Sequence, residues 1–364
     1  MAFRRIRLSD LTFGKPLPWD VFSVPSGAKP VLEKGKLVAP EELGLLESGL
    51  FADAGTPPSV LHSLNQVNRR LERILMDLRD VSSADTELRA IARELIDAVE
   101  LDTDIALASI FLNQIVGAYA IRHCTETAVI VCLIARAMDK TPAEVLIVTA
   151  AALTMNVGMV RQTELFQDRD GVLSIEERAM VRRHPTDSAD MLRYAGIADE
   201  EWLELVLLHH ENDDGSGYPH GRLGDEICQN AKLIGLADRY CAFVSARNYR
   251  RSLLPPVALS RLRDEGSMPV DRHVVALFTQ LISLYPPGTL VRLENGETGV
   301  VSRRAEGTGA LTVHVLRSSE GTPLPLTELR STAQPGCAIA EALHEDSARL
   351  RFTMQHIWGE LASL

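Results

Sequence analysis

The chain has 364 residues, which at about 150 per domain suggests two or three domains. Hydrophobic residues at 46% and charged residues at 24% exclude wholesale disorder, and a chain this long buries a sizeable core without staples. With 38 Lys and Arg against 49 Asp and Glu the net charge is −11, which argues against a general DNA binder or a polybasic membrane-surface protein. A small anionic ligand stays open, because a local cationic pocket can sit inside an acidic protein. The cysteines (Cys124, Cys132, Cys228, Cys241, Cys337) are odd in number and lack Cys-x-x-Cys spacing, as expected of free thiols in a reducing compartment. The longest uncharged stretches, 105–121 and 145–160, are interrupted by Asn113-Gln114 and Asn156. They fall short of the ~20 apolar residues a membrane span needs, so a cytoplasmic protein is expected.

Residues 1–52 are turn-rich, with Pro16, Pro18, Ser26-Gly27 and Gly35 around apolar runs, and predict a small N-terminal β unit. A short helix is expected from Pro40 to near Gly49. Residues 53–104 read as a linker followed by amphipathic helices: Leu61, Leu64, Val67, Leu71 and Leu75 recur at three- and four-residue steps. This 60–80 helix reads as a connecting helix or the face of a homodimer. Residues 105–285 predict one helical domain. Thr141-Pro142-Ala143-Glu144 and Ser174-Ile175-Glu176-Glu177 have the form of capping boxes. Residues 286–333 predict a short C-terminal β unit, with strands at 289–293, 298–302 and 311–316 and a hairpin turn at Asn295-Gly296. A helical tail, 334–364, is expected to pack back. The fold class is mainly α, a helical domain flanked by two small β units.

The helical domain holds His123, His184, His209 and His210, accompanied by Asp238. A lone helical histidine is more often structural than a ligand; four with a carboxylate among Leu, Ala and Val point to a metal site. The sharpest string is His209-His210-Glu211-Asn212-Asp213-Asp214-Gly215-Ser216-Gly217-Tyr218-Pro219. It resembles the motif that names the HD-GYP domain, a branch of the HD metal-dependent phosphohydrolases. The resemblance extends through His123, through His184-Pro185 with Gly196, and through Ala237-Asp238-Arg239-Tyr240 followed by Arg247-Asn248-Tyr249-Arg250. It implies an all-helical HD-type domain that hydrolyses cyclic di-GMP, a bacterial second messenger, with two or three metal ions. By this likeness the metal ligands are His123, His184, His209, His210 and Asp238. The ligand contacts are Gly215, Gly217, Tyr218, Pro219, Arg247 and Arg250. Read without the likeness, Gly215 and Gly217 merely permit a tight loop, and the two arginines are solvated surface residues.

The family places Leu-His-Asp-Ile-Gly-Lys between its first two histidines. Here residues 153–159 read Leu-Thr-Met-Asn-Val-Gly-Met, pinned by Leu153, Val157 and Gly158. The metal histidine becomes Met155, the bridging aspartate Asn156 and the active-site lysine Met159, so no intact catalytic set is expected. Cys241 also stands where an aspartate is usual, and Tyr119 where some members carry a third-metal glutamate. A thioether binds hard divalent ions poorly, and a carboxamide offers only a neutral oxygen. Read as packing, Met155 and Met159 are apolar filler at helical spacing. The expectation is at most one divalent transition metal (Fe, Mn or Zn) on His184, His209 and His210. The function expected is a signalling protein of the cyclic di-GMP system with impaired or absent phosphodiesterase activity. It would bind cyclic di-GMP, a related cyclic dinucleotide, or signalling proteins through the Gly-Tyr-Pro loop. The alternative is an active metal-dependent phosphodiesterase yielding pGpG or GMP.

Overall fold

The computed structural model describes residues 3–5, 16–17, 19–22, 30–37, 51–53, 59–166, 174–245, 252–264, 272–304 and 309–364. The chain divides into two compact units, 1–59 and 60–364. In the first, β1 (Phe3–Arg5), β2 (Val21–Phe22) and β3 (Phe51–Asp53) pair antiparallel with β3 in the middle. Leu17, Val21 and Leu32 are buried. The rest of the expected N-terminal β unit, with the helix expected after Pro40, lies outside the described residues.

The second unit opens with α1 (Val60–Met76), α2 (Ala84–Leu101) and α3 (Thr103–Phe111). The apolar stripe of α1 is spent inside the chain: Leu61, Leu64, Val67, Leu71 and Leu75 are buried, and α1 packs on α2, α3 and α4 (Tyr119–Ala137). The apolar face on which the homodimer expectation rested is thus covered within the chain. Helix α4 has 16 of its 19 residues buried, which makes it the central helix, enclosed on nearly every side. Against it lies α5 (Pro142–Thr154), opened by the Thr141–Glu144 capping box in both directions. Residues 142–163 are apolar enough to resemble a membrane span, but the helix itself stops at Thr154 after 13 residues. That is too short to cross a bilayer, and its buried Val145, Val148 and Leu153 belong to the protein core.

After a 3-10 turn (Val157–Met159) come α6 (Val160–Phe166) and α7 (Ile175–Tyr194), the latter opened by the Ser174–Glu177 capping box. Helix α8 (Glu200–Leu208) is capped by Asp199, which also holds Arg89 at 2.8 Å. Its fully buried Trp202 donates Nε1–H to Thr154 Oγ1 at 2.9 Å and so ties α8 to the end of α5. Helices α9 (Gln229–Val244), α10 (Pro255–Asp264) and α11 (Arg272–Ile282) complete the helical part.

A five-stranded antiparallel sheet follows, in the order β7-β6-β5-β4-β8. Its strands are β4 (Leu290–Leu293), β5 (Thr298–Arg304), β6 (Leu311–Arg317), β7 (Pro323–Ser331) and β8 (Ile339–Leu343). One face (Leu290, Val300, Leu316, Leu343) joins the helical core, while Val291, Leu293, Val301, Val313 and Val315 form a second cluster. The first three strands and the Asn295-Gly296 turn lie where the sequence predicts them. Strand β8 does not: it occupies the segment expected to be a helical tail. That tail shrinks to two short helices, α12 (Glu345–Ala348) and α13 (Met354–Trp358), the second ending at Gly359 with φ +70°.

Candidate metal centre

Five segments bring the predicted site residues to one end of the helical unit. His123 lies one turn into α4, His184 in the middle of α7, and Asp238 on α9. His209 caps the C-terminus of α8 and His210 follows it. Met155 holds the matching place at the end of α5. The end of α8 packs closely on the middle of α9 because Gly235 has no side chain, and a Cβ there would lie 2.2 Å from the His209 carbonyl oxygen. The sequence flags Gly235 only as an isolated helical glycine, a signal of close packing that the motif reading passed over.

His184, His209 and His210 converge, with one ligand nitrogen of each inside a 4.8 Å sphere of mutual distance. His184 Nε2 and His209 Nε2 are 3.3 Å apart. Each of these two rings has its Nδ1 against a carbonyl oxygen one turn earlier, Val181 at 2.6 Å and Val206 at 2.7 Å. A carbonyl can only accept, so Nδ1 carries the proton and the Nε2 lone pairs face one another. This is the tautomer and orientation a metal ligand needs. Burial lowers the pKa of all three histidines, that of His184 from 6.5 to about 3, so the cluster is neutral at physiological pH. The donor set therefore fits one divalent ion held by three imidazoles.

These shifts carry a sign for stability. The folded histidines bind protons less readily than the unfolded chain, so between pH 6.5 and about 3 unfolding takes up protons. The metal-free protein is expected to lose stability as pH falls through that window and to hold it above. Urea midpoints measured from pH 8 to pH 4 with a chelator present check this; a flat profile would show that the histidines are not buried as neutral rings.

His123 and Asp238 form a separate pair, Nε2 to Oδ1 at 2.8 Å. Burial alone would raise the Asp238 carboxyl, but the His123 hydrogen bond and the neighbouring His210 and His209 hold it well below the usual carboxylate range. Met155 is fully buried within the hydrophobic core. Asn156 neighbours the Cys124 thiol, whose pKa burial pushes up to about 12. Cys124 was not among the predicted site residues. A thioether, a neutral carboxamide and one histidine–carboxylate pair make a poor set for a hard divalent ion. Met159 is half-buried at the end of the 3-10 turn.

The loop after His210 is built on Glu211. Its carboxylate, 5% exposed, accepts the backbone N–H groups of His220 (2.7 Å), Gly221 (3.1 Å) and Arg222 (2.9 Å). Gly215 turns the chain at φ +76°, whereas Gly217 is required by close approach: a Cβ there would meet Asn212 N at 2.4 Å. The fold of this loop sets the Tyr218 ring 4.7 Å from that of His210, next to a cis Pro219. Hydrogen bonds to a charged acceptor contribute roughly 1.5–3 kcal/mol each, and losing a shared acceptor leaves its donors partly buried. Glu211→Ala is therefore expected to cost about 3 kcal/mol and to free the loop, seen as a lowered urea midpoint and faster amide exchange at 220–222; unchanged exchange there would refute this role. Arg247 and Arg250 lie outside the described residues.

A family model described as HD domain matches residues 82–274, more than half of the chain. The cyclic di-GMP phosphodiesterase PA4108 of Pseudomonas aeruginosa is 27% identical over 245 residues, covering 66% of this chain and 59% of the relative. The cyclic di-GMP phosphodiesterase response regulator RpfG of Xanthomonas campestris is 30% identical over 131 residues, covering 36% of this chain and 35% of the relative. The chain thus spans less than two thirds of the length of either. Among solved structures, Bd1817, an HDG"Y"P protein from Bdellovibrio bacteriovorus, aligns with a TM-score of 0.52 at 13% identity. That alignment covers 77% of this chain and 99% of Bd1817, a likeness of fold. The chain belongs to the HD domain family.

Proposed function

We propose that this HD domain protein is a cyclic di-GMP signalling module that binds the dinucleotide at a one-metal site and hydrolyses it slowly or not at all. The observation that carries the reading is Met155. It is fully buried in the core at the position where an intact centre would place a metal histidine, and Asn156 beside it offers only a neutral oxygen. Two divalent ions a few ångströms apart need a bridging anion to offset their charge, and a methionine–asparagine pair supplies none. The pair at His123 and Asp238 then serves to join α4 to α9.

His184, His209 and His210 are the residues that would hold the single ion, which supplies a Lewis-acid contact for a phosphate oxygen. The protein's own groups do the rest. The two Nδ1–H to carbonyl bonds keep the imidazoles oriented, Glu211 fixes the loop, and Tyr218 closes one side of the cluster. Burial raises the Tyr218 phenol well above its ordinary value, so it remains a hydrogen-bond donor at neutral pH. In place of the lysine of the family motif stands Met159, which can neither donate a proton nor balance a developing charge.

The relatives named as phosphodiesterases favour a second reading, an enzyme that tolerates the altered pair. One experiment separates the two. Metal-loaded protein is titrated with cyclic di-GMP by calorimetry, and the recovered nucleotide is analysed by chromatography. Saturable binding with turnover at least roughly a thousandfold below an intact two-metal homologue is expected, since the second ion and the cation near the leaving oxygen each supply several kcal/mol. Turnover comparable to that of such a homologue would establish the enzyme.

A further inference from the structure

We infer that Arg182, over the Tyr218 ring, and Arg239, held by Asn212 of the same loop, form a cationic rim at the edge of the three-histidine cluster that takes a phosphate group of the bound ligand. The inference rests on the proposed reading in one respect, that the cluster and the Gly-Tyr-Pro loop line a single ligand site.

Arg182 lies on α7 two residues before His184, and its guanidinium carbon is 5.3 Å from the Tyr218 ring centroid. The Tyr218 ring is in turn 4.7 Å from His210 and 6.3 Å from His184. The cation is thus one aromatic ring away from the histidine cluster. Arg183 and Arg193 on the same helix are paired with Asp187 (2.9 Å) and Asp190 (3.4 Å), whereas Arg182 makes no ion pair among the described residues and is exposed. A guanidinium stacked on an aromatic face keeps its N–H edges directed outward, in a planar fork that matches two phosphate oxygens.

Arg239 follows Asp238 on α9 and donates to Asn212 Oδ1 at 2.6 Å, while Asn212 Nδ2–H donates to Ser216 Oγ at 2.9 Å. The loop itself therefore positions this second cation, whose charge acts on His209, His210 and Tyr218. Asp238 is the carboxylate that also acts on Tyr218, and it is hydrogen-bonded to His123. Two arginines therefore face the cluster, with Asp238 and the loop's Glu211 as the neighbouring carboxylates, the latter occupied by three backbone N–H groups. In a chain of net charge −11, local cations of this kind are what would draw an anionic ligand to the cluster.

The test uses the zinc-loaded full chain and two probes, inorganic phosphate and cyclic di-GMP, titrated into the parent, Arg182→Ala, Arg182→Lys and Arg239→Ala. Metal content and urea midpoint are measured for each, because a purely packing role for Arg182 would change the midpoint and not the phosphate affinity. A charge-assisted bidentate contact of about 1.5–3 kcal/mol corresponds to roughly a ten- to hundredfold loss of affinity in Arg182→Ala, with partial recovery in Arg182→Lys. Loss of affinity for both probes at unchanged metal content supports the rim and the cyclic di-GMP reading together. Loss for phosphate in a protein that ignores cyclic di-GMP supports the rim and overturns that choice of ligand. Cyclic di-GMP affinity unchanged in both alanine variants overturns the rim and leaves the reading standing. Failure of the parent to bind either probe overturns both.

Discussion

His209→Gln is expected to lose the bound metal. The His209 ring forms a triangle with its two partners, 3.3 Å from His184 by their Nε2 atoms and 4.1 Å from His210 by ring centroids, so its loss leaves two imidazoles and no counter-charge among the ligands. Two neutral nitrogens hold zinc orders of magnitude more weakly than three in a preformed site. Glutamine fills most of the imidazole volume, which limits the packing cost at a residue 1% exposed. After dialysis, metal in this variant is expected to fall to roughly a tenth of the parent's or less, and stabilisation by added zinc to vanish, since a ligand stabilises only the state that binds it. His123→Gln is the control. On the one-metal account it leaves metal content unchanged, and equal loss in both variants would show that His123 also binds the ion.

Met155→His, Asn156→Asp and Met159→Lys together are expected to raise the metal content toward two ions per chain. By the family likeness, the substitution returns a nitrogen ligand, a bridging carboxylate and a cation at one stroke. The cost is physical. Met155 is fully buried in the core, and a histidine there needs a metal or hydrogen-bond partner to offset roughly 1–3 kcal/mol of desolvation. The Asn156–Cys124 contact would also be exchanged for a carboxylate beside a thiol. Without metal the triple variant is therefore expected to be less stable than the parent, and with metal to recover. Orienting groups around metal ligands often change affinity ten- to a hundredfold, so gain of the second ion should precede gain of turnover. A folded triple variant whose metal content stays at the parent's level would show that the surrounding shell no longer supports a second ion.

What the sequence reveals follows the range of the interactions. The Thr141 and Ser174 capping boxes and the Asn295-Gly296 turn are legible because each is made by residues within four positions of one another. The His-His-Glu…Gly-Tyr-Pro string is legible for the same reason, as a single loop. Strand β7 was hidden: Pro323 and Pro325 break a strand pattern, and its exposed Leu326 and Leu329 belong to an edge with no neighbour on one side. Strand β8, in the segment expected as helical tail, carries little alternation in its Ile-Ala-Glu-Ala-Leu. Its partner β4 lies some fifty residues earlier, with Leu290 opposite Leu343. In the site, contacts between distant segments escaped notice: Cys124 with Asn156, Trp202 with Thr154, Arg182 with Tyr218. Nothing in the spacing of such residues announces them. Burial made the amphipathic face of α1 misleading too, since the same stripe serves an internal core as well as a dimer.

The central claim, a single-ion site where an intact centre holds two or three, is tested most directly by the number of metals the unaltered chain retains. Metal-free protein is saturated with Zn, Mn or Fe under conditions that preserve each ion, dialysed, and its metal-to-protein ratio determined by mass spectrometry. The account predicts about one ion per chain for any of them, abolished by His209→Gln. Two or more tightly held ions per chain would contradict it, and would mean that Met155 and Asn156 do not prevent a second ion from binding.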